Sequence, residues 1–308
     1  MSGERPRGAQ RRDFVIVGGG PAGMSAALVA TQNGIDTLLL EASARLGGQV
    51  RWADAAVPDL LGVPAGDGNE LADRFAAHLL GSRADVRTEA PVAAVRLAGD
   101  AFSVRLAGGE ELAARRVLLA TGLTHRRLGV AGEDLANRVA SPRKVCERFD
   151  GHAVAVVGGG DEASSLACDL AAHGARVTLL VRREMRARPR YADAARRRPG
   201  VEIRLGAVVS RLEEEGRRLA VVLASGERLE VDECFVRIGV EPALPVLEPP
   251  PQTLADGRVR VDAELRTTCP GLFAAGDLVR PAGEHYIAAA LADGAVVARR
   301  VEADLAGR

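Results

Sequence analysis

Two glycine turns of matching spacing, Gly18-x-Gly20-x-x-Gly23 and Gly158-x-Gly160-x-x-Ala163, confine this chain to very few folds. Phe14 to Val17 is an unbroken apolar run just before the first turn. Ala22 to Gln32 reads as an alanine-rich helix, closed by Asn33-Gly34. Thr37 to Leu40 is a second apolar run, ending at Glu41. Short unbroken apolar runs indicate parallel strands buried on both faces, so the order is strand, turn, helix, strand. Ala153 to Val157, Glu162 to Ala172, His173-Gly174 and Val177 to Val181 repeat it. A chain of 308 residues can hold two domains. The repetition predicts two nucleotide sites.

A glycine turn alone is weak evidence. Placed between strand and helix, with an acid about 20 residues on, it specifies a dinucleotide. Gly18 permits the tight turn, Gly20 lets the backbone approach a pyrophosphate, and Gly23 lets helix and strand pack closely. Pro21 and Ala22 open the helix, whose N-terminus offers free N–H groups and partial positive charge. Glu41 can accept hydrogen bonds from ribose hydroxyls. At the second turn Gly158, Gly159, Gly160, Asp161, Glu162 and Ala163 take these places, and Gly239 is expected to join them in the nucleotide site. The next strand, however, ends at Val181 without an acid, and Arg182 and Arg183 follow, with Arg186 nearby. A carboxylate there selects a free 2′-hydroxyl, whereas arginines suit a 2′-phosphate. NADPH rather than NADH is expected. The competing reading is a solvated basic surface, because Lys144 is the only lysine and arginine fills the other cationic positions.

Hairpin patterns occupy Val92 to Leu97 with Phe102 to Leu106, and Val208 to Leu212 with Leu219 to Leu223. Buried strands are expected at Val117 to Ala120 before Thr121-Gly122, at Cys234 to Ile238 before Gly239, and at Gly271 to Ala275 before Gly276-Asp277. A last helix starts near His285. Pro242, Pro245, Pro249, Pro250 and Pro251 read as an irregular linker. The expected fold is α/β, with two nested Rossmann-like three-layer dinucleotide-binding domains. Residues 1–125 and 241–308 form a discontinuous outer domain, with residues 1–12 a flexible tail, and residues 126–240 form the inserted one.

Charge is balanced at 41 basic and 41 acidic residues, which leaves no field to attract nucleic acid. The cysteines Cys146, Cys168, Cys234 and Cys269 form no C-x-x-C, so neither a metal knuckle nor a local redox pair is expected. A reducing cytoplasm suits that usage. Arg5, Arg7, Arg11 and Arg12 precede an apolar stretch, but its glycines and Pro21 would spoil a signal-peptide helix. No apolar run is long enough to span a bilayer.

In order and spacing, Gly18 to Gly23, Glu41, Gly47-Gly48-Gln49, Ala120-Thr121-Gly122, Gly132-Glu133, the second glycine turn, Arg182-Arg183 and Ala274 to Asp277 resemble the low-molecular-weight thioredoxin-reductase-like flavoproteins. The resemblance covers nearly the whole chain. It implies FAD in the outer domain and NADPH in the inserted one, and a homodimer. It puts Gly48 and Gln49 near the isoalloxazine and Asp277 on the ribitol. His285, Tyr286 and Ile287 would open a helix aimed at flavin N1 and O2, with Val92, Thr121 and Gly122 completing the FAD set. His285 stands where the family often has glutamine, and its role, like that of Tyr286, is open between catalytic and capping.

The departures concern the acceptor. Thioredoxin reductases carry a C-x-x-C before the second turn, where this chain has only Cys146 among Ser141 to Cys146. Relay through a dithiol is therefore not expected. Glu147, Phe149 and Gly151 resemble the thioredoxin-reductase-like ferredoxin–NADP reductases, although the aromatic C-terminal extension of that group is not seen before Arg308. Arg143, Lys144 and Arg148 could lower the Cys146 pKa, while a packed linker cysteine is the plainer reading. The arginines from Arg182 to Arg198 could steer an acidic carrier such as ferredoxin or flavodoxin. Three readings stay open: an NADPH-dependent reductase of a carrier or small molecule, a flavin oxidase using oxygen, and a flavin-binding partner protein without turnover.

Overall fold

The structure, a computed structural model, describes residues 11–52, 57, 60–63, 66–136 and 149–307. The expectations for residues 1–10, and for Cys146 with its basic neighbours, lie outside them. The chain divides into two compact units, Met1–Leu123 with Pro242–Arg308, and Thr124–Glu241.

The first unit runs β1 (Arg12–Val17), α1 (Pro21–Gln32), β2 (Thr37–Leu40), α2 (Gly68–Leu80), β3 (Asp85–Arg87), β4 (Val92–Ala98), β5 (Ala101–Leu106) and β6 (Glu111–Leu119). The connecting strand β7 (Leu123–His125) leads to β8 (Ala153–Val157), α3 (Asp161–Ala172), β9 (Arg176–Val181), α4 (Pro189–Arg197) and β10 (Val201–Leu205). Then come β11 (Val209–Glu215), β12 (Arg218–Leu223), β13 (Arg228–Val231), β14 (Glu233–Val236) and the connecting strand β15 (Val240–Pro242). The chain returns through β16 (Val246–Glu248), β17 (Leu272–Ala274) and α5 (Ile287–Leu305).

The sheet of the first unit is organised by β6. Its first half pairs antiparallel with β5, its last three residues pair parallel with β17 on the same side, and β1 runs parallel along the other edge. One face of β1 buries Phe14 and Ile16 under α1 and α5, and the other buries Val15 and Val17 against Phe102, Val104 and Leu272. Two covered faces are why the run is unbroken. The helices α1 and α5 approach closely at Gly294, where a side chain would overlap the Ala22 carbonyl, and the Ser25 hydroxyl donates to the Leu291 carbonyl at 2.7 Å.

Two expectations change. Arg12 belongs to β1 rather than to a tail, because its guanidinium bridges Asp36 at 2.7 Å and Asp85 at 2.5 Å. The proline-rich stretch is not wholly irregular: β16 forms the edge of the sheet and pairs parallel with β4. An edge strand tolerates flanking prolines, since only one side needs donors. Helix α2 is a further element of this unit, absent from the pattern expected of the sequence, and Asp67 caps it by accepting from Glu70 N at 2.9 Å.

The second unit holds a parallel sheet in the order β10-β9-β8-β14. Phe149, α3 and Ala195 of α4 cover one face. The antiparallel sheet β11-β12-β13 covers the other through Leu212, Val221 and Leu223. Strand order reverses between β8 and β14, which opens a crevice at their carboxyl ends. Among the described residues no helix is long and apolar enough to cross a membrane.

Candidate functional site

In the first unit, Gly18 adopts φ +109°, and a side chain there would overlap the Ala120 carbonyl oxygen. A side chain at Gly23 would overlap the Gly18 carbonyl, so both positions need glycine for close approach. Gly20 is different. Its backbone is extended, and no atom lies within 4 Å of the position a Cβ would take. Gly20 caps α1 without a side-chain acceptor, which leaves first-turn N–H groups available to an anion.

Other chain segments converge on this turn. Glu41, at the end of β2, is buried; its Oε2 accepts from Gly19 N at 2.6 Å and its Oε1 from Ser43 N at 2.8 Å. A carboxylate has about four acceptor directions, so capacity for a ribose hydroxyl remains after these and the Ser43 hydroxyl. Ala90 N donates to the Glu41 carbonyl, which brings the start of β4 at Val92 close by. A Cβ on Gly48 would lie 3.2 Å from the Gly20 Cα, and Gln49 Nε2 donates to the Leu123 carbonyl at 3.2 Å beside Gly122. Thr121 Oγ1 is buried with no hydrogen-bond partner among the described residues. An orphaned hydroxyl, an uncapped helix and an open glycine together fit a bound dinucleotide.

Gly276 lies against the same helix, since a Cβ there would lie 3.2 Å from the Ala22 Cβ, and Asp277 follows it. Asp293 holds this corner: its buried carboxylate accepts from Gly276 N at 3.1 Å and from Arg280 at 2.9 and 2.5 Å. This clamp is not among the residues expected from the sequence. The clue was an acid on the apolar stripe Ala290, Gly294, Val297, Val301 of α5. His285 is exposed, with Nε2 3.1 Å from the Arg280 carbonyl. Tyr286 is the exposed N-cap residue of α5, and Ile287 is the first residue of the helix.

Burial pushes the Asp277 carboxyl above its usual range, and Asp293 adds to this against His285 and Arg280. A raised carboxyl contributes stability that is present below its ordinary value and lost as pH rises through the folded one. Asp277→Asn is therefore expected to raise the melting temperature of the flavin-free chain at pH 7 and to leave it unchanged near pH 3. Thermal melts at the two pH values check this; a lower melting temperature at pH 7 would contradict it.

In the second unit the turn is built alike. Gly158 has φ +151°, with the Arg237 carbonyl filling the place of a side chain, and Gly160 is extended and open around its Cα. The Gly159 carbonyl accepts from Arg186 N at 2.7 Å and Ala187 N at 2.9 Å, tying the arginine-rich loop to the turn. Arg182, Arg183 and Arg186 are exposed on that loop. Asp161 accepts from Arg188 N at 2.6 Å and from its guanidinium, while Glu162 pairs with Arg237 at 2.9 Å. Ala163 is buried beneath the turn, and Gly239 has φ +99° with its carbonyl bonded to Arg126 N.

The described thiols are poor nucleophiles. Burial pushes Cys168 and Cys269 up, and Cys234 up to about 12. Glu133 is buried and accepts from Leu128 N at 2.8 Å and Gly129 N at 2.9 Å, which fixes the loop ahead of β8.

Residues 12–294 match the family described as pyridine nucleotide-disulphide oxidoreductase. A thioredoxin reductase of Listeria monocytogenes is 30% identical over 302 residues, spanning 94% of this chain and 92% of that one. An alkyl hydroperoxide reductase component from Pseudomonas aeruginosa is 32% identical over 287 residues; the match takes 86% of this chain but 53% of that protein, about half its length. Among solved structures, Lactococcus lactis thioredoxin reductase superposes with a TM-score of 0.78 at 25% identity, covering 97% of this chain and 100% of that one. A bacillithiol disulfide reductase of Bacillus cereus gives 0.75 at 22% identity over 96% of this chain and all of its own, a likeness of fold.

Proposed function

The chain belongs to the pyridine nucleotide-disulphide oxidoreductase family, and from that premise we propose that it oxidises NADPH and passes the electrons through FAD to an acceptor other than a cysteine pair of its own. FAD is assigned to the first unit and NADPH to the second. The observation that carries the nucleotide choice is the exposed Arg182-Arg183 pair directly after β9, where no acid stands. The lack of any C-x-x-C in the sequence carries the choice of acceptor. Bound FAD supplies a hydride acceptor and an outlet for electrons.

The residues bind and orient. Backbone N–H groups of the α1 turn meet the FAD diphosphate, Glu41 a ribose, and Asp277 the ribitol. The N-terminus of α5 at Tyr286 favours negative charge on the flavin pyrimidine. Arg182, Arg183 and Arg186 hold the 2′-phosphate. The acceptor is a small redox protein such as ferredoxin or flavodoxin, or a small molecule, and the exposed arginines near α4 favour an acidic one.

Anaerobic titration of the FAD-loaded protein tests the reading. NADPH should bleach the flavin absorbance within seconds, and NADH far more slowly. Bleaching only by an organic substrate would make the chain a flavin oxidase, and no bleaching by any donor would leave a non-catalytic flavin protein. A panel of acceptors then assigns the output.

A further inference from the structure

Arg237 is a buried arginine beside the second glycine turn. It follows β14 directly, so it stands at the carboxyl end of one strand of the crevice while Gly158 stands at the end of the other. The two touch, since the Arg237 carbonyl occupies the space a Gly158 side chain would need, and Arg237 N bonds the Val157 carbonyl at 2.8 Å. Its guanidinium lies 5.7 Å over the Phe235 ring, donates to the Val236 carbonyl at 2.8 Å, and pairs with Glu162 in the first turn of α3 at 2.9 Å. Only 4% of the side chain is exposed, against 51% for Glu162.

Burying a guanidinium is costly unless charge nearby compensates. Here burial pulls the guanidinium below its usual value and Glu162 pulls it back. An acid, however, is an unfavourable neighbour for a diphosphate at a helix N-terminus. We propose that Arg237 is a positioning residue for the nucleotide diphosphate, with Glu162 as one of its partners in the free protein and the diphosphate drawing on the same positive charge in the complex. This rests on the assignment of a nicotinamide dinucleotide to the second unit. It separates two sets of arginines: Arg182 and Arg183 read the 2′-phosphate, whereas Arg237 acts on the part NADPH and NADH have in common.

Dissociation constants for NADPH, NADH and adenosine 2′-monophosphate, measured calorimetrically and anaerobically on the full chain with its bound FAD already reduced so that no hydride transfer occurs, test this. Arg237→Met should weaken NADPH and NADH by the same factor, on the order of tenfold. It should leave adenosine 2′-monophosphate, which has no diphosphate, within about twofold. Glu162→Gln keeps an acceptor for Arg237 but removes the charge, and should tighten both dinucleotides. Flavin absorbance and melting temperature report whether each variant folds, and Arg237→Lys should restore part of the affinity if charge is the cause. Equal weakening of all three ligands would reduce Arg237 to a structural role and overturn the proposal. So would unchanged dinucleotide binding, or weakening of NADPH alone. Wild-type protein that holds FAD yet binds none of the three would instead overturn the nucleotide assignment itself, and the proposal with it.

Discussion

Gly20→Val is expected to give a folded chain that purifies without FAD, and Gly160→Val a flavin-loaded chain that NADPH does not reduce. Both glycines are extended, at φ −75° and −95°, where any residue is allowed. Neither has an atom within 4 Å of the missing Cβ. The fold therefore loses little, at most about 1 kcal/mol for a poorer helix cap. The added branches stand where a pyrophosphate must come against the backbone. Overpacking there costs about 3 kcal/mol, on the order of 100-fold in affinity. Flavin-to-protein absorbance after gel filtration, melting temperature and anaerobic reduction separate the cases. Full FAD content in Gly20→Val would reject the first cradle. Gly18 and Gly23 are unsuitable for this test, because side chains there would collide with backbone and disturb folding and binding together.

The second large effect concerns donor choice. Arg182→Ser combined with Arg183→Ser should weaken NADPH by on the order of 100-fold while leaving NADH within about twofold. Each exposed arginine contributes about 1–1.5 kcal/mol through a charge-assisted hydrogen bond to the 2′-phosphate. The variants should melt like the parent, since both side chains are exposed. Equal kcat/KM losses with both donors would show that the pair serves the loop rather than the phosphate.

The glycine turns were readable because their chemistry is local. Strand, turn and helix follow within a few residues, and burial on both faces of β1, β2, β8 and β9 leaves unbroken apolar runs. The short strand β16 was hidden among prolines, because its pairing to β4 bridges about 150 residues of chain. Helix α2 is hard to see in the sequence because its cap, Asp67, sits in a polar stretch that reads equally well as a loop.

Two dinucleotide turns, the acid after the first, the arginines after the second and the missing cysteine pair are legible along the chain, since each needs only its neighbours in sequence. The tertiary structure alone decided which charges guard those turns. Asp293 reaches Gly276 N and Arg280 from the middle of a later helix, and Arg237 meets Glu162 from the far side of β8. Such pairs lie 13 to 75 residues apart and form only once folding has buried one partner of each, Asp293 and Arg237, which packing then holds against the other.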